Sequence, residues 1–183
     1  MSSPQLPAQR LALASDAPAL ATLMRQSILD LFPAFYDAGQ TASAADHIAD
    51  LDLSLIEDGT YFVHETGGEI VACGGWSRRD RLYTGSGARA DDGRLLDPRA
   101  EPARVRAMFV RSDWTRRGLG RAILDACEAA ARAEGFSMLA LMATLPGEQL
   151  YRAFGFRELE RVEITLADGV VLAGVAMERP ITR

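Results

Sequence analysis

Residues 111–124 read Arg-Ser-Asp-Trp-Thr-Arg-Arg-Gly-Leu-Gly-Arg-Ala-Ile-Leu, and they follow the apolar stretch Val105 to Val110, which has the composition of a buried strand. A polar turn leads from the strand into a glycine-containing helix start, with no acidic residue between Trp114 and Leu124. This order brings unpaired backbone N–H groups, the positive end of a helix dipole and several arginines to one point. The segment therefore predicts a site for a phosphate or pyrophosphate.

The elements on either side of this segment predict an α/β (α+β) domain with a mixed sheet. The helix over residues 118–134 is strongly amphipathic and is stopped by Gly135. Residues 77–102 form a long loop in which arginine and aspartate alternate, which favours a self-neutralising, solvated loop. In chain order the other predicted elements are a helix starting at Ser15 or Asp16, a helix over 42–56, a hairpin of strands 59–65 and 69–76, strands over 104–110 and 137–143, a short helix over 147–154, and a hairpin of strands 157–165 and 170–178.

The size and composition of the chain exclude several classes of protein. With 183 residues, 48% hydrophobic and 25% charged, we expect one folded domain over residues 10–183 after a flexible N-terminus at 1–9. A net charge of −5 argues against nucleic-acid binding, and no apolar run approaches the roughly 20 residues that span a membrane. Cys73 and Cys127 lie far apart in apolar stretches, which predicts reduced thiols in a cytoplasmic protein.

Two common phosphate-binding loops do not fit the glycine-containing segment. A nucleoside-triphosphate loop needs Gly-Lys-Ser/Thr, and all 20 basic residues of this chain are arginine. A dinucleotide fingerprint needs glycine or alanine three positions after Gly120, where Ile123 stands. A third type of loop remains.

Residues 115–120, Thr-Arg-Arg-Gly-Leu-Gly, resemble the coenzyme A pyrophosphate loop of the GCN5-related N-acetyltransferase (GNAT) superfamily, whose pattern is Gln/Arg-x-x-Gly-x-Gly/Ala after a central strand. Thr115 departs from the Gln or Arg of that pattern. The order of elements over about residues 10–180 is similar to that of the family, and residues 150–156, Leu-Tyr-Arg-Ala-Phe-Gly-Phe, resemble its C-terminal Tyr-x-x-x-Gly-Phe segment. The resemblance implies a single-domain acyl-CoA N-acyltransferase fold, with a mostly antiparallel central sheet flanked by helices.

The same resemblance implies an activity and a set of site residues. It implies acetyl-CoA as co-substrate, no metal, and direct attack of an amine on the thioester, with Tyr151 protonating the departing thiolate. A phenol suits this role because it remains protonated at neutral pH. The backbone of the strand before the loop would contact the pantetheine arm, and the loop would hold the pyrophosphate. The implied coenzyme-binding residues are Met108, Phe109, Val110, Arg116, Arg117, Gly118, Leu119, Gly120, Arg121 and Thr144.

The general base is left open by the sequence. Relatives often carry a glutamate on the strand before the loop, but Arg104 and Arg106 occupy the matching positions here. These arginines either pair with Glu101, Glu160 or Glu163 on the sheet surface, which we favour, or hold a carboxylate or phosphate of the acceptor. His47, His64, Glu65 and Asp113 show no distinctive pattern.

The acceptor and the assembly are also left open. The aromatic segment Phe32–Asp37 either shapes a pocket for a small or aromatic amine or caps the core. We favour a small-molecule acceptor. The alternatives are a non-catalytic acyl-CoA sensing module and an acetyltransferase acting on a protein N-terminus or lysine. Relatives often form homodimers through their C-terminal strands, so the resemblance implies residues 170–177 as a candidate interface.

Overall fold

One sheet of seven strands organises the chain, in a computed structural model that describes residues 6–81 and 93–182. Its strand order is β1-β2-β3-β4-β5-β7-β6; β4 and β5 are parallel, and all other neighbours are antiparallel. The strands are β1 (Ala8–Leu11), β2 (Tyr61–Thr66), β3 (Glu69–Ser77), β4 (Ala103–Val110), β5 (Met138–Thr144), β6 (Arg157–Thr165) and β7 (Val171–Pro180). The helices are α1 (Ala17–Leu31), α2 (Ala38–His47), α3 (Leu53–Glu57), α4 (Leu119–Ala133) and α5 (Leu145–Phe154).

Helices cover both faces of this sheet. The apolar stripe of α4, which includes Leu119 and Ile123, packs with α5 against β3, β4 and β5 in the largest core cluster. On the other face, α1 and α3 pack against β2 and β3, and α2 packs towards β6 and β7. The thiols of Cys73 and Cys127 are free and buried in these cores, and burial raises the pKa of Cys73 to about 12. None of the described helices is long and apolar enough to cross a membrane.

This architecture confirms the predicted α/β fold with its mostly antiparallel sheet, but two elements differ from prediction. The helix expected over 42–56 is two helices, because the Asp52 carboxylate accepts a hydrogen bond from the Ser54 N–H and starts α3 separately. Ala8 and Gln9, expected in a flexible N-terminus, belong to β1 and pair with β2 opposite Glu65 and His64. The sheet therefore has one more strand than the sequence predicts.

The described part of the loop after β3 is held by ion pairs, as its alternating charges predict. Arg94 contacts Asp80 at 3.0 Å and Glu101 at 2.5 Å. Arg79 pairs with Asp58 at 2.7 Å. The remainder of the predicted loop, residues 82–92, lies outside the described residues.

Gly75 of β3 is required by a close approach of two strands. A Cβ at this position would lie 2.3 Å from the carbonyl oxygen of Thr60 and 2.9 Å from the Cα of Tyr61, so backbone would have to move. We expect Gly75→Ala to lower the free energy of unfolding by about 2 kcal/mol or more, measured by urea denaturation. Gly39→Ala, on helix α2, is the control: its Cβ comes no closer than 3.4 Å to Asp37, and alanine favours helix. An equal loss in the two variants would contradict this account of β3.

Candidate active site

A cavity of about 520 Å³ lies where β4 and β5 separate. The two strands are paired only at Ala103 with Leu139 and at Arg104 with Ala140. Residues 105–110 of β4 line the cavity, as do Leu141, Met142 and Thr144 of β5. The edge of β4 that faces β5 therefore offers backbone N–H and C=O groups to a ligand.

A bulge in β4 changes the direction of the strand at the cavity. Arg106 pairs with Gly75 and Phe109 with Cys73, so Ala107 and Met108 together face Gly74. Ala107 has a left-handed backbone with a φ of 51°. A Cβ on Gly74 would lie 2.4 Å from the Met108 sulfur, so glycine leaves the space that the Met108 side chain fills.

The loop before α4 has the geometry of an anion site. Arg116 has a φ of 62°, and Gly118, the first residue before α4, has a φ of 85° with no side-chain cap on the helix. The first N–H groups of a helix have no partner within it, and they carry the positive end of its dipole. Gly118 lines the cavity, and a Cβ at this position would meet no atom within 4 Å, so there is open space beside the start of the helix. Ala107 and Arg116 both have a positive φ, and strained backbone of this kind clusters at functional sites. The β4 bulge and the loop before α4 are therefore the two parts of the candidate site.

Three arginines bring positive charge to the loop. Arg116 contacts the amide of Gln149 at 3.5 Å, the Arg117 guanidinium lies 4.5 Å from the ring of Trp114, and that of Arg121 lies 5.4 Å from the ring of Phe154. Within the described part of the chain, each therefore contacts an aromatic ring or an amide rather than a carboxylate. Arg116 and Arg121 line the cavity, whereas Arg117 lies beside it. The strained loop, the uncapped start of α4 and the arginines together form a site that fits a pyrophosphate.

Tyr151 and Thr144 line the same cavity from α5 and β5. The ring of Tyr151 packs edge-on against Phe156, at 5.8 Å between centroids, and a Cβ on Gly147 would lie 2.9 Å from it. Burial raises the pKa of the Tyr151 hydroxyl above its usual value, so the phenol stays protonated well beyond neutral pH. Thr144 is the residue before α5, and its side chain makes no capping bond. All predicted site residues except Arg117 thus meet at one cavity.

The structure corrects the predicted partners of the two arginines on β4. Arg104 pairs with Asp80 at 3.0 Å and Arg106 with Asp52 at 3.3 Å, rather than with the glutamates favoured from the sequence. The Arg106 side chain is 1% exposed and lines the cavity. Asp52 also contacts Arg81 at 3.1 Å. Burial raises the pKa of Asp52, but the hydrogen bonds from Ser54 and the charges of the two arginines outweigh it, so that this pKa lies below its ordinary value.

We expect Asp52→Asn to lower the free energy of unfolding by about 3 kcal/mol, because it removes the charge of the Asp52 carboxylate from its contact with the buried guanidinium of Arg106. The depressed pKa of Asp52 means that its stabilising effect is complete above the ordinary carboxyl pKa and is lost as the pH falls through the folded value. Urea denaturation between pH 3 and 7 checks both statements. Asp97→Asn, which breaks the exposed pair with Arg99, should cost less than about 0.5 kcal/mol. If both variants lose a similar free energy of unfolding, the Asp52 carboxylate does not stabilise the buried charge of Arg106.

Candidate bases considered from the sequence do not reach the cavity. His64 lies on β2 with its Nδ1 3.0 Å from the carbonyl oxygen of Pro7. His47 contacts Asp168 at 3.5 Å, and Asp113 pairs with Arg111. Among the described residues, no cluster of three or more His, Cys, Asp or Glu side chains could hold a metal.

A further part of the cavity lining is an apolar wall, of which the sequence indicated only Phe32, through the aromatic segment Phe32–Asp37 considered as a pocket or a cap on the core. This wall consists of apolar residues at and just after the end of α1, just after α2, in β5, and at and just after the end of β6, and these residues carry no shared motif. We name these residues the acceptor wall: Leu31, Phe32, Ile48, Met142, Ile164 and Leu166. Apart from Phe32, their apolar character alone also fits ordinary core positions, so no signal in the sequence could have separated them from the core.

Comparison with known proteins agrees with this geometry. The family model described as an acetyltransferase (GNAT) domain matches residues 57–158, which is more than half of the chain. A solved GCN5-related N-acetyltransferase from Rhodopseudomonas palustris, described as "Aminotransferase, Class-II", has a TM-score of 0.75 and 21% identity, with 98% of each chain covered. No match is found among curated protein sequences.

Two further solved structures contain the coenzyme. PaiA N-acetyltransferase from Thermoplasma acidophilum, in complex with coenzyme A, has a TM-score of 0.66 and 11% identity over 96% of this chain and 99% of its own. YncA from Salmonella typhimurium, a structure with acetyl-CoA, has a TM-score of 0.62 and 14% identity over 98% of this chain and 96% of its own. At these identities the likeness establishes the shared fold.

Proposed function

This chain belongs to the acetyltransferase (GNAT) family, and we propose that it binds acetyl-CoA in the cavity between β4 and β5 and transfers the acetyl group to the amine of a small molecule. The observation that carries the proposal is the unpaired edge of β4 directly before an uncapped helix start. An extended pantetheine arm fits the first feature, and a pyrophosphate fits the second.

The residues that hold the coenzyme follow from this placement. Met108, Phe109 and Val110 offer their backbone to the pantetheine arm. The loop and the first turn of α4, with Arg116, Arg117, Gly118, Leu119, Gly120 and Arg121, bind the pyrophosphate. Thr144 contacts the arm from β5. Gly120 also allows α4 to approach α5, because a Cβ there would lie 2.7 Å from the Leu150 side chain.

The chemistry divides between the backbone and Tyr151. Backbone N–H groups at the β4 bulge polarise the thioester carbonyl, which favours the negative charge that develops on its oxygen. The amine nitrogen bonds to the carbonyl carbon as the C–S bond breaks, and Tyr151 donates its proton to the departing sulfur. The nitrogen releases its proton to water, from which the phenolate is reprotonated. Acetyl-CoA and amine thus become free thiol and amide, with protons balanced.

The test is release of free thiol from acetyl-CoA in the presence of amines, with binding of acetyl-CoA measured by calorimetry. The panel contains amino acids, polyamines, aminoglycosides, arylamines and short peptides. Thiol release that one small amine raises well above background supports the proposal. Acceleration by peptides alone would replace the small-molecule acceptor by a protein, and binding without any turnover would indicate a sensing module.

A further inference from the structure

The acceptor wall is apolar and continuous. Phe32, Ile48, Met142, Ile164 and Leu166 belong to a single apolar cluster, and Leu31 lines the cavity beside them. The Ser27 hydroxyl, which also lines the cavity, donates a hydrogen bond to the carbonyl oxygen of Val110 at 2.9 Å. A ligand that reaches this wall therefore exchanges water for hydrocarbon surface.

The charges at the cavity have one sign. Of the described residues that line it, the charged ones are Arg106, Arg116 and Arg121. Arg116 and Arg121 belong to the loop in which we place the pyrophosphate. Arg106 is therefore the charged lining residue on β4 itself, next to the bulge at which we place the thioester. The Asp52 carboxylate contacts both the Arg106 guanidinium at 3.3 Å and the Arg81 guanidinium at 3.1 Å.

An alkylammonium ion is disfavoured by both features. It would lose its hydration against the acceptor wall and lie in the field of a buried guanidinium, without a carboxylate beside it in the described lining. An alkylamine with a pKa near 10 is uncharged in roughly one molecule per thousand at pH 7. A weakly basic amine, whose nitrogen is uncharged at neutral pH, meets neither penalty.

We infer that the acceptor is an apolar, weakly basic amine, of which an arylamine is the simplest example, and that it enters the cavity uncharged. This inference rests on the proposed acetyl transfer. It also fits a described lining that holds arginines and no carboxylate, because a nitrogen that arrives uncharged needs no base before it attacks. Flat aromatic rings also suit the apolar wall.

The experiment compares aniline with benzylamine, which share one ring but differ in basicity, by thiol release from saturating acetyl-CoA between pH 6.5 and 9.5. We expect kcat/KM for aniline at pH 7 to exceed that for benzylamine at least about tenfold, and to be independent of pH. For benzylamine, kcat/KM should rise about tenfold per pH unit until the amine's own pKa is reached. A benzylamine profile that levels off near pH 7.5 would show a base in the enzyme and overturn the inference.

The wall is tested by a matched pair of substitutions on α1. Leu31→Glu places a carboxylate on the acceptor wall and should raise the benzylamine-to-aniline ratio of kcat/KM at least about tenfold at pH 7. Leu29→Glu introduces the same charge at a position that is already 39% exposed and does not line the cavity, and should change the ratio less than twofold. An unchanged ratio in both folded variants would overturn the assignment of the wall, and the wild-type pH profiles decide the matter if Leu31→Glu does not fold.

The outcomes separate the inference from the proposed function. If benzylamine or spermidine is acetylated faster than aniline at pH 7, the inference fails while acetyl transfer stands. If protein that binds acetyl-CoA releases thiol with no amine of the wider panel, the transferase proposal fails, and the inference fails with it.

Discussion

Gly118→Asp is expected to weaken the binding of acetyl-CoA roughly 100-fold, measured as the Kd by calorimetry. Gly118 directly precedes α4 and lines the cavity in which we place the pyrophosphate, and a Cβ at this position would meet no atom within 4 Å. Two unit charges 4 Å apart interact by about 4 kcal/mol at an effective dielectric constant of 20. About 2.7 kcal/mol of repulsion therefore suffices for the expected effect, before the loss of space is considered.

Two controls separate this repulsion from backbone strain. Gly118→Asn has nearly the same shape without the charge, and asparagine tolerates the φ of 85° about as well as aspartate. It should weaken binding several-fold less than Gly118→Asp. Gly169→Asp has the same strain, with a φ of 86° and open space, but lies in the β6–β7 turn and does not line the cavity, so that it should leave the Kd unchanged.

Salt provides an independent check on the electrostatic origin. Raising the ionic strength from about 0.05 to 0.5 M shortens the screening length several-fold, so the difference between the Asp and Asn variants should narrow. If wild type and Gly118→Asp bind acetyl-CoA with the same Kd, the pyrophosphate does not bind at the start of α4.

The part of this site that the sequence predicts is the part built from consecutive residues. Residues 111–124 carry the turn, the glycines, the arginines and the helix start in one stretch, and α4 keeps a regular apolar stripe. Local geometry and helical period are properties of neighbouring residues, so they can be derived without knowledge of the tertiary structure.

The features that the sequence does not predict depend on residues far apart in the chain. Arg106 and Asp52 are 54 positions apart, and their pairing depends on the packing of α3 against β3, the strand next to β4. The bulge at Ala107 has no glycine to mark it, since the space it needs is left by Gly74 on the neighbouring strand. β1 is four residues long without an alternating pattern, and it forms because β2 offers an edge to pair with.

Tyr151→Phe is expected to lower kcat about 100-fold with the best amine, while the Kd for acetyl-CoA changes less than twofold. A positioned general acid typically contributes this much to a step in which it protonates the departing group. The substitution removes one oxygen and keeps the ring, whose edge-on contact with Phe156 is unchanged. The loss should therefore appear in kcat rather than in the binding of the coenzyme or in stability.

The matched control is the variant Tyr36→Phe, because the Tyr36 hydroxyl of the wild type has a structural role. It donates to the carbonyl oxygen of Ala173 at 2.7 Å and accepts from the N–H of Leu145 at 2.9 Å, so its removal should lower the free energy of unfolding by about 1–3 kcal/mol. Its kcat should fall much less than that of Tyr151→Phe. A proton donor thus loses kcat without losing stability, whereas a structural tyrosine loses stability with little change in kcat.

The pH dependence of kcat is an independent test of Tyr151 as the proton donor. Because burial raises the pKa of Tyr151, the hydroxyl remains a donor through the mildly alkaline range, and kcat of the wild type should not fall between pH 7 and 9.5. In Tyr151→Phe the proton must come from solvent, so kcat should decline as the pH rises if protonation of sulfur limits the rate. Equal kcat values and equal pH profiles for the two proteins would mean that the thiolate leaves unprotonated, and that Tyr151 serves only to pack α5 against the core.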